Sequence, residues 1–78
     1  MKNQCISITL PIYDLSCGGG GVLIVERALA RTAGVVYVYV NPATEMAYIK
    51  YDPTLSEPNR LIQVVEHAGF RAGLPSLR

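Results

Sequence analysis

Tryptophan is missing from this 78-residue chain, and cysteine occurs only twice. Two cysteines are too few for a disulfide-framed fold, which points to a reduced, cytoplasmic setting. Neither sign of charge dominates: seven Lys and Arg stand against six Asp and Glu, scattered along the chain, for a net charge of +1. That balance argues against an electrostatic grip on nucleic acid. Long apolar runs are lacking too. The aliphatic run Val22–Val25 is far short of the ~20 residues a membrane span needs, so no membrane insertion is expected. The start has no basic segment leading into an apolar stretch and a small-residue cleavage site, so no export signal is predicted. No low-complexity linker or solenoid period divides the chain, and a single domain over residues 1–78 is expected. Half the residues are apolar and 17% are charged, the balance of a globular chain.

Two periods alternate along the sequence. Ile6, Ile8, Leu10 and Ile12 fall on one face of a strand, with Pro11 marking a sheet edge or a strand end. Val22, Val25, Leu29 and Thr32 recur at helical spacing as far as Ala33, with Gly34 as the stop. A second strand, 35–40, turns Val38 and Val40 inward and Tyr37 and Tyr39 outward. Asn41-Pro-Ala-Thr44 is turn chemistry. A third strand, 45–51, turns Ala47, Ile49 and Tyr51 inward. Ser56 is placed as the cap of a second helix, with Pro58 in its first turn. That helix buries Leu61, Val64, Val65 and Ala68 and stops at Gly69. A last strand covers about residues 70–74. Strand, helix, strand, strand, helix, strand predicts an α+β, ferredoxin-like βαββαβ sandwich. Its four-stranded antiparallel sheet carries both helices on one face.

The stretch Asp14-Leu-Ser-Cys17 followed by four glycines, Gly18 to Gly21, is unusual at a helix start. Ordering four glycines is costly, because each loses more backbone freedom than any other residue. A thiol there faces free N–H groups and the positive end of the helix, which favours the thiolate. The same geometry suits an anion, but the Lys and Ser or Thr of a phosphate-binding loop are absent.

Val25-Glu-Arg-Ala-Leu29, Gly34-Val35, Val38-Tyr-Val-Asn41, Ala43-Thr-Glu45, Tyr51-Asp-Pro53 and Ala68-Gly-Phe70, in this order, resemble the heavy-metal-associated domain. That family comprises small copper chaperones and the soluble modules of metal-pumping P-type ATPases. The resemblance covers residues 6 to 73 or so, and it rests on order and spacing together. Family members typically place Gly-Met-Thr-Cys-x-x-Cys on the first loop, where two thiolates hold Cu(I), Zn(II) or a similar soft ion. The resemblance implies that Cys17 is the first ligand and that Leu15 stands for the buried methionine. It also implies a metal-transporting ATPase or another metal-trafficking protein as partner.

The second ligand is absent. Counting back from Glu26 puts its slot at Gly21, and counting forward from Cys17 puts it at Gly20. Glycine has no donor atom, and a soft ion normally takes at least two thiolates. The resemblance therefore implies a non-enzymatic domain whose Cys17 binds a soft ion, Cu(I) foremost, weakly or jointly with a second chain's or a partner's thiol. The alternative is a metal-free interaction or regulatory module of the same fold. No base stands within sequence reach of Cys17 to make an enzyme.

Leu23 and Ile24 occupy helix positions that are usually polar in the family. Burying each fully is worth roughly 1.5–3 kcal/mol, so leaving both in water points to a contact surface. A homodimer through the Cys17 end would use it and bring two thiols together. Cys5 cannot complete the site, because about 23 Å of strand separates it from Ile12. His67 is expected on the surface, at the end away from Cys17. Tyr37, Tyr39 and Tyr48, with Lys50, are expected on the open sheet face as cross-strand stabilisers, not as a base-stacking platform.

Overall fold

From Ile6 to Tyr13 every second side chain turns inward, and this alternation sets the first strand of the computed structural model, which describes residues 5–13 and 20–77. The elements that follow β1 (Ile6–Tyr13) are α1 (Gly21–Ala30), β2 (Val35–Asn41), β3 (Met46–Tyr51) and α2 (Pro58–His67). Two short strands, β4 (Arg71–Ala72) and β5 (Ser76–Leu77), close the chain. The sheet runs β2-β3-β1-β4, with β5 also pairing to β1, and the pairs are antiparallel. This is the expected ferredoxin-like α+β sandwich, extended by β5.

Ile8, Leu10 and Ile12 of β1, Val40 of β2, and Ala47, Ile49 and Tyr51 of β3 form the sheet's side of the core. Val25 and Leu29 of α1 and Leu61 and Val65 of α2 cover them, all without exposure. A spacing of four along each helix puts each pair on one stripe, the arrangement an amphipathic helix needs to bury one face. Val38, expected inside, is half-buried and packs against this cluster. Burial, and then the nearby Glu57 carboxylate, raise the Tyr51 phenol above its ordinary value.

Three local expectations are corrected. The first helix ends at Ala30, three residues before Ala33. There the Thr32 hydroxyl donates to the Ala28 carbonyl at 3.0 Å and the Thr32 N–H to the Leu29 carbonyl at 3.0 Å, tightening the last turn. Ser56 is not the cap of α2: Glu57 holds that place and Pro58 follows it. The Ser56 N–H donates back to the Asp52 carbonyl at 3.0 Å, which draws the residue inward, and its hydroxyl is buried without a partner.

Of the two places expected for Pro11, the strand end is the one found: it lies near the end of β1, which is an interior strand and not a sheet edge. Its carbonyl accepts from the Gly73 N–H at 2.8 Å, so its missing donor falls at the junction between β4 and β5, where no ladder bond is needed. The final strand is interrupted for a related reason. Pro75 has no N–H to give, and the chain leaves β1 after Gly73 and rejoins it at Ser76. Among the described residues, no helix is long and apolar enough to cross a membrane.

Candidate metal centre

β1 ends at Tyr13 and α1 begins at Gly21, and the segment that carries Cys17 lies between them in sequence. Cys17, with Asp14 and Leu15, lies outside the described residues. Its frame is well defined. Tyr13, the last residue of β1, pairs with Arg71, and Ile12 pairs with Ala72. Gly20 is the N-cap of α1 with φ 85, a left-handed conformation that side chains resist, and no side chain caps the helix from it. The Ile24 N–H makes the first helical bond, to the Gly20 carbonyl at 3.0 Å. The amides of the first turn, up to Leu23, precede the first intrahelical bond and point out of the helix start. With no acidic residue in that turn, the positive end of α1 is left for an anionic partner such as a thiolate.

The two candidate slots for a second donor differ in backbone. Gly20 is left-handed, whereas Gly21 is the first residue of α1 and is buried. Leu23 and Ile24 are exposed at 53% and 49%, while Val22 beside them packs toward the core. They are a quarter-turn or so apart around the helix, so they broaden the apolar surface at this end of α1.

Other donors stay apart. Cys5 is a half-buried free thiol before Ile6, which pairs with Tyr51 at the opposite end of β1 from Tyr13. Among the described residues, no cluster of three His, Cys, Asp or Glu could hold a metal ion. His67 calls for a correction. β3 runs away from the loop end and α2 returns, so His67 ends α2 just before Arg71 and Ala72 pair with Tyr13 and Ile12. It therefore belongs to the Cys17 end of the fold, on the surface. Its side chain lines an open groove with Ala28, Arg60, Gln63, Val64 and Ala68. Tracing strand direction through the predicted topology was enough to reveal this.

The tyrosines lie where expected. Tyr39 and Tyr48 are directly paired across β2 and β3 and stack with ring centroids 5.9 Å apart and planes 15° from parallel. Glu26 does something the sequence left unread: its Oε2 accepts the Val40 N–H at 3.2 Å, tying α1 to β2.

This architecture defines a small ferredoxin-like domain in which the segment that carries Cys17 falls in sequence between the end of β1 and the start of α1. No family model matches the chain. It is 42% identical over 77 residues to the copper-transporting ATPase 2 of Rattus norvegicus, an alignment covering 95% of this chain and 5% of that protein. The chain thus spans only about a twentieth of the relatives' length. The N-terminal domain of PacS from Synechocystis PCC6803 is 33% identical, with 86% of this chain and 92% of that one covered and a TM-score of 0.73. A copper binding domain from HMA7, a P-type ATPase, is 25% identical over 94% of this chain and 97% of that one, with a TM-score of 0.88. The chain belongs to the heavy-metal-associated domain family.

Proposed function

We propose that this domain handles Cu(I) as cargo through a half-site. Cys17 supplies one thiolate, and a second comes from another copy's Cys17 or from a thiol of a metal-transporting ATPase or other trafficking partner. The observation that carries the reading is the donor set. The family's fold is retained with one loop cysteine, while both slots for the second, Gly20 and Gly21, offer no donor. Neither Cys5 nor any described cluster of donors substitutes for it. Copper is favoured because relatives over most of this chain's length are named copper-transporting ATPases. The work is binding and transfer on the cytoplasmic side, with no bond made or broken in a substrate.

A Cu(I) titration against a competing chelator tests it. Cys17→Ser should abolish uptake and Cys5→Ser should leave it unchanged. Uptake that survives Cys17→Ser places the ion elsewhere and ends the half-site reading. A second reading is favoured by the exposure of Leu23 and Ile24. In it the domain is a metal-free docking or regulatory module, and Leu23→Glu with Ile24→Lys should abolish partner binding whether or not copper is present.

A further inference from the structure

The sheet has two unlike edges. On one side β4 and β5 are two residues each, too short to template another strand. On the other, β2 runs for seven residues against β3 alone. In an antiparallel ladder, alternate residues turn their N–H and C=O toward the partner strand and the intervening ones turn away. Val40 is one that turns away, because its N–H meets Glu26 of α1. Val38, two residues earlier, turns the same way. A bulge at Val36 breaks the regularity, so the continuous free edge is 37–41. No residue of β2 is charged, and Tyr37 and Tyr39 stand out from it, 57% and 46% exposed.

We propose that the β2 edge docks a second copy of this chain, antiparallel about a two-fold axis at Tyr39, and that Glu26 holds this pairing in check. The Val38 N–H and C=O and the Val40 C=O face outward along this edge, and outward-facing backbone groups call for an extended strand. The β2 sequence is its own complement, because no charge opposes the meeting of two copies. In this register Val38 exchanges backbone bonds with the second copy's Val40, and Val40 with its Val38. Tyr39 meets its own counterpart on the open face. The Tyr39–Tyr48 stack then continues as a row of four tyrosines across the junction.

Glu26 opposes this arrangement twice: it occupies the Val40 N–H, and the pairing brings two Glu26 carboxylates toward the axis. Leu23 and Ala30 lie three residues before and four after Glu26, on the same flank of α1, and both are exposed. Exposed Arg27 stands between them along the helix, so this flank of α1 is a mixed surface beside the edge. Because β1 and β2 are parallel, the Tyr13 ends of the two β1 strands, which Cys17 follows in sequence, lie at opposite ends of such a dimer. The pairing therefore needs no metal and is independent of thiolate sharing.

Sedimentation of the metal-free chain tests the proposal. Glu26→Ala should self-associate at least about tenfold more tightly than wild type, a difference well within the resolution of the method. Glu26→Gln, which keeps an acceptor but loses the charge, should fall between them and serves if Glu26→Ala does not fold. Tyr39→Lys added to either should restore the monomer. Hydrogen exchange at the Val38 and Val40 amides should slow with protein concentration in the associating variant. Monomeric behaviour of both Glu26 variants overturns the proposal. So does a dimer indifferent to Tyr39→Lys, or one in which the Val38 amide stays unprotected. Uptake of an unrelated extended peptide along β2 by a variant that never self-associates also overturns it.

Discussion

Gly34 and Leu55 meet so closely that a Cβ at residue 34 would lie 2.7 Å from the Leu55 Cβ. Gly34 also has φ 88 and accepts the Asp52 N–H on its carbonyl at 2.7 Å. This contact fastens the turn after α1 to the loop that leads into α2, and so fixes how the helices lie on the sheet.

Gly34→Ala should therefore carry two costs. The left-handed backbone adds about 1–2 kcal/mol, and the forced overlap adds about 1–3 kcal/mol. Gly69→Ala, at φ 100 with open space around it, carries only the first. Urea unfolding of both variants should separate them, and equal losses would show that the Leu55 contact yields freely.

Ser56→Ala should be neutral or slightly stabilising, because the hydroxyl is buried without a partner and its removal relieves an unmade hydrogen bond. A helix cap in this position would instead cost about 1 kcal/mol on the same substitution. Thermal unfolding distinguishes the two signs.

Acid should weaken the same loop. The Thr54 hydroxyl and the Thr54 N–H both donate to Asp52 Oδ1, at 2.7 Å and 2.9 Å, and hold its carboxyl below the ordinary value. A carboxyl lowered on folding adds stability that is full above its unfolded pKa, near 3.8, and is lost as pH falls through the folded value. Asp52→Asn should flatten the stability profile below pH 3.8 relative to wild type, measured by denaturant midpoints across that range. An unchanged acid slope would mean that other carboxyls govern it.

The strands and the core were legible because one face of each strand is buried, and burial writes a period of two into Ile8, Leu10 and Ile12 and into Ala47, Ile49 and Tyr51. Helix ends were less so. Whether Thr32 continues a helix or turns its hydroxyl onto Ala28 depends on a hydrogen bond that periodicity does not register. Ser56 and Glu57 compete for one cap, and the Asp52 turn decides between them. At the site, the missing second donor was plain from Gly20 and Gly21, and the exposure of Leu23 and Ile24 followed from helical phase. The bond from Val40 to Glu26 was not, since it joins residues 14 apart across two elements. The end at which His67 lies depends on strand direction, which the periodicity of α2 does not carry and the βαββαβ order does.

The direct test of the half-site counts copper against chains. Gly21 lies on helical backbone, so Gly21→Cys supplies the second thiolate without the left-handed strain that Gly20→Cys meets at φ 85. Cu(I) should be titrated against a competing chelator, with mass recorded at each point, for wild type and Gly21→Cys in a Tyr39→Lys background that removes edge pairing. Wild type should take one Cu(I) per two chains and double its mass as the ion is added. Gly21→Cys should take one Cu(I) per chain and stay monomeric. A wild-type chain that binds one Cu(I) by itself, or takes up none at micromolar free ion, contradicts the account.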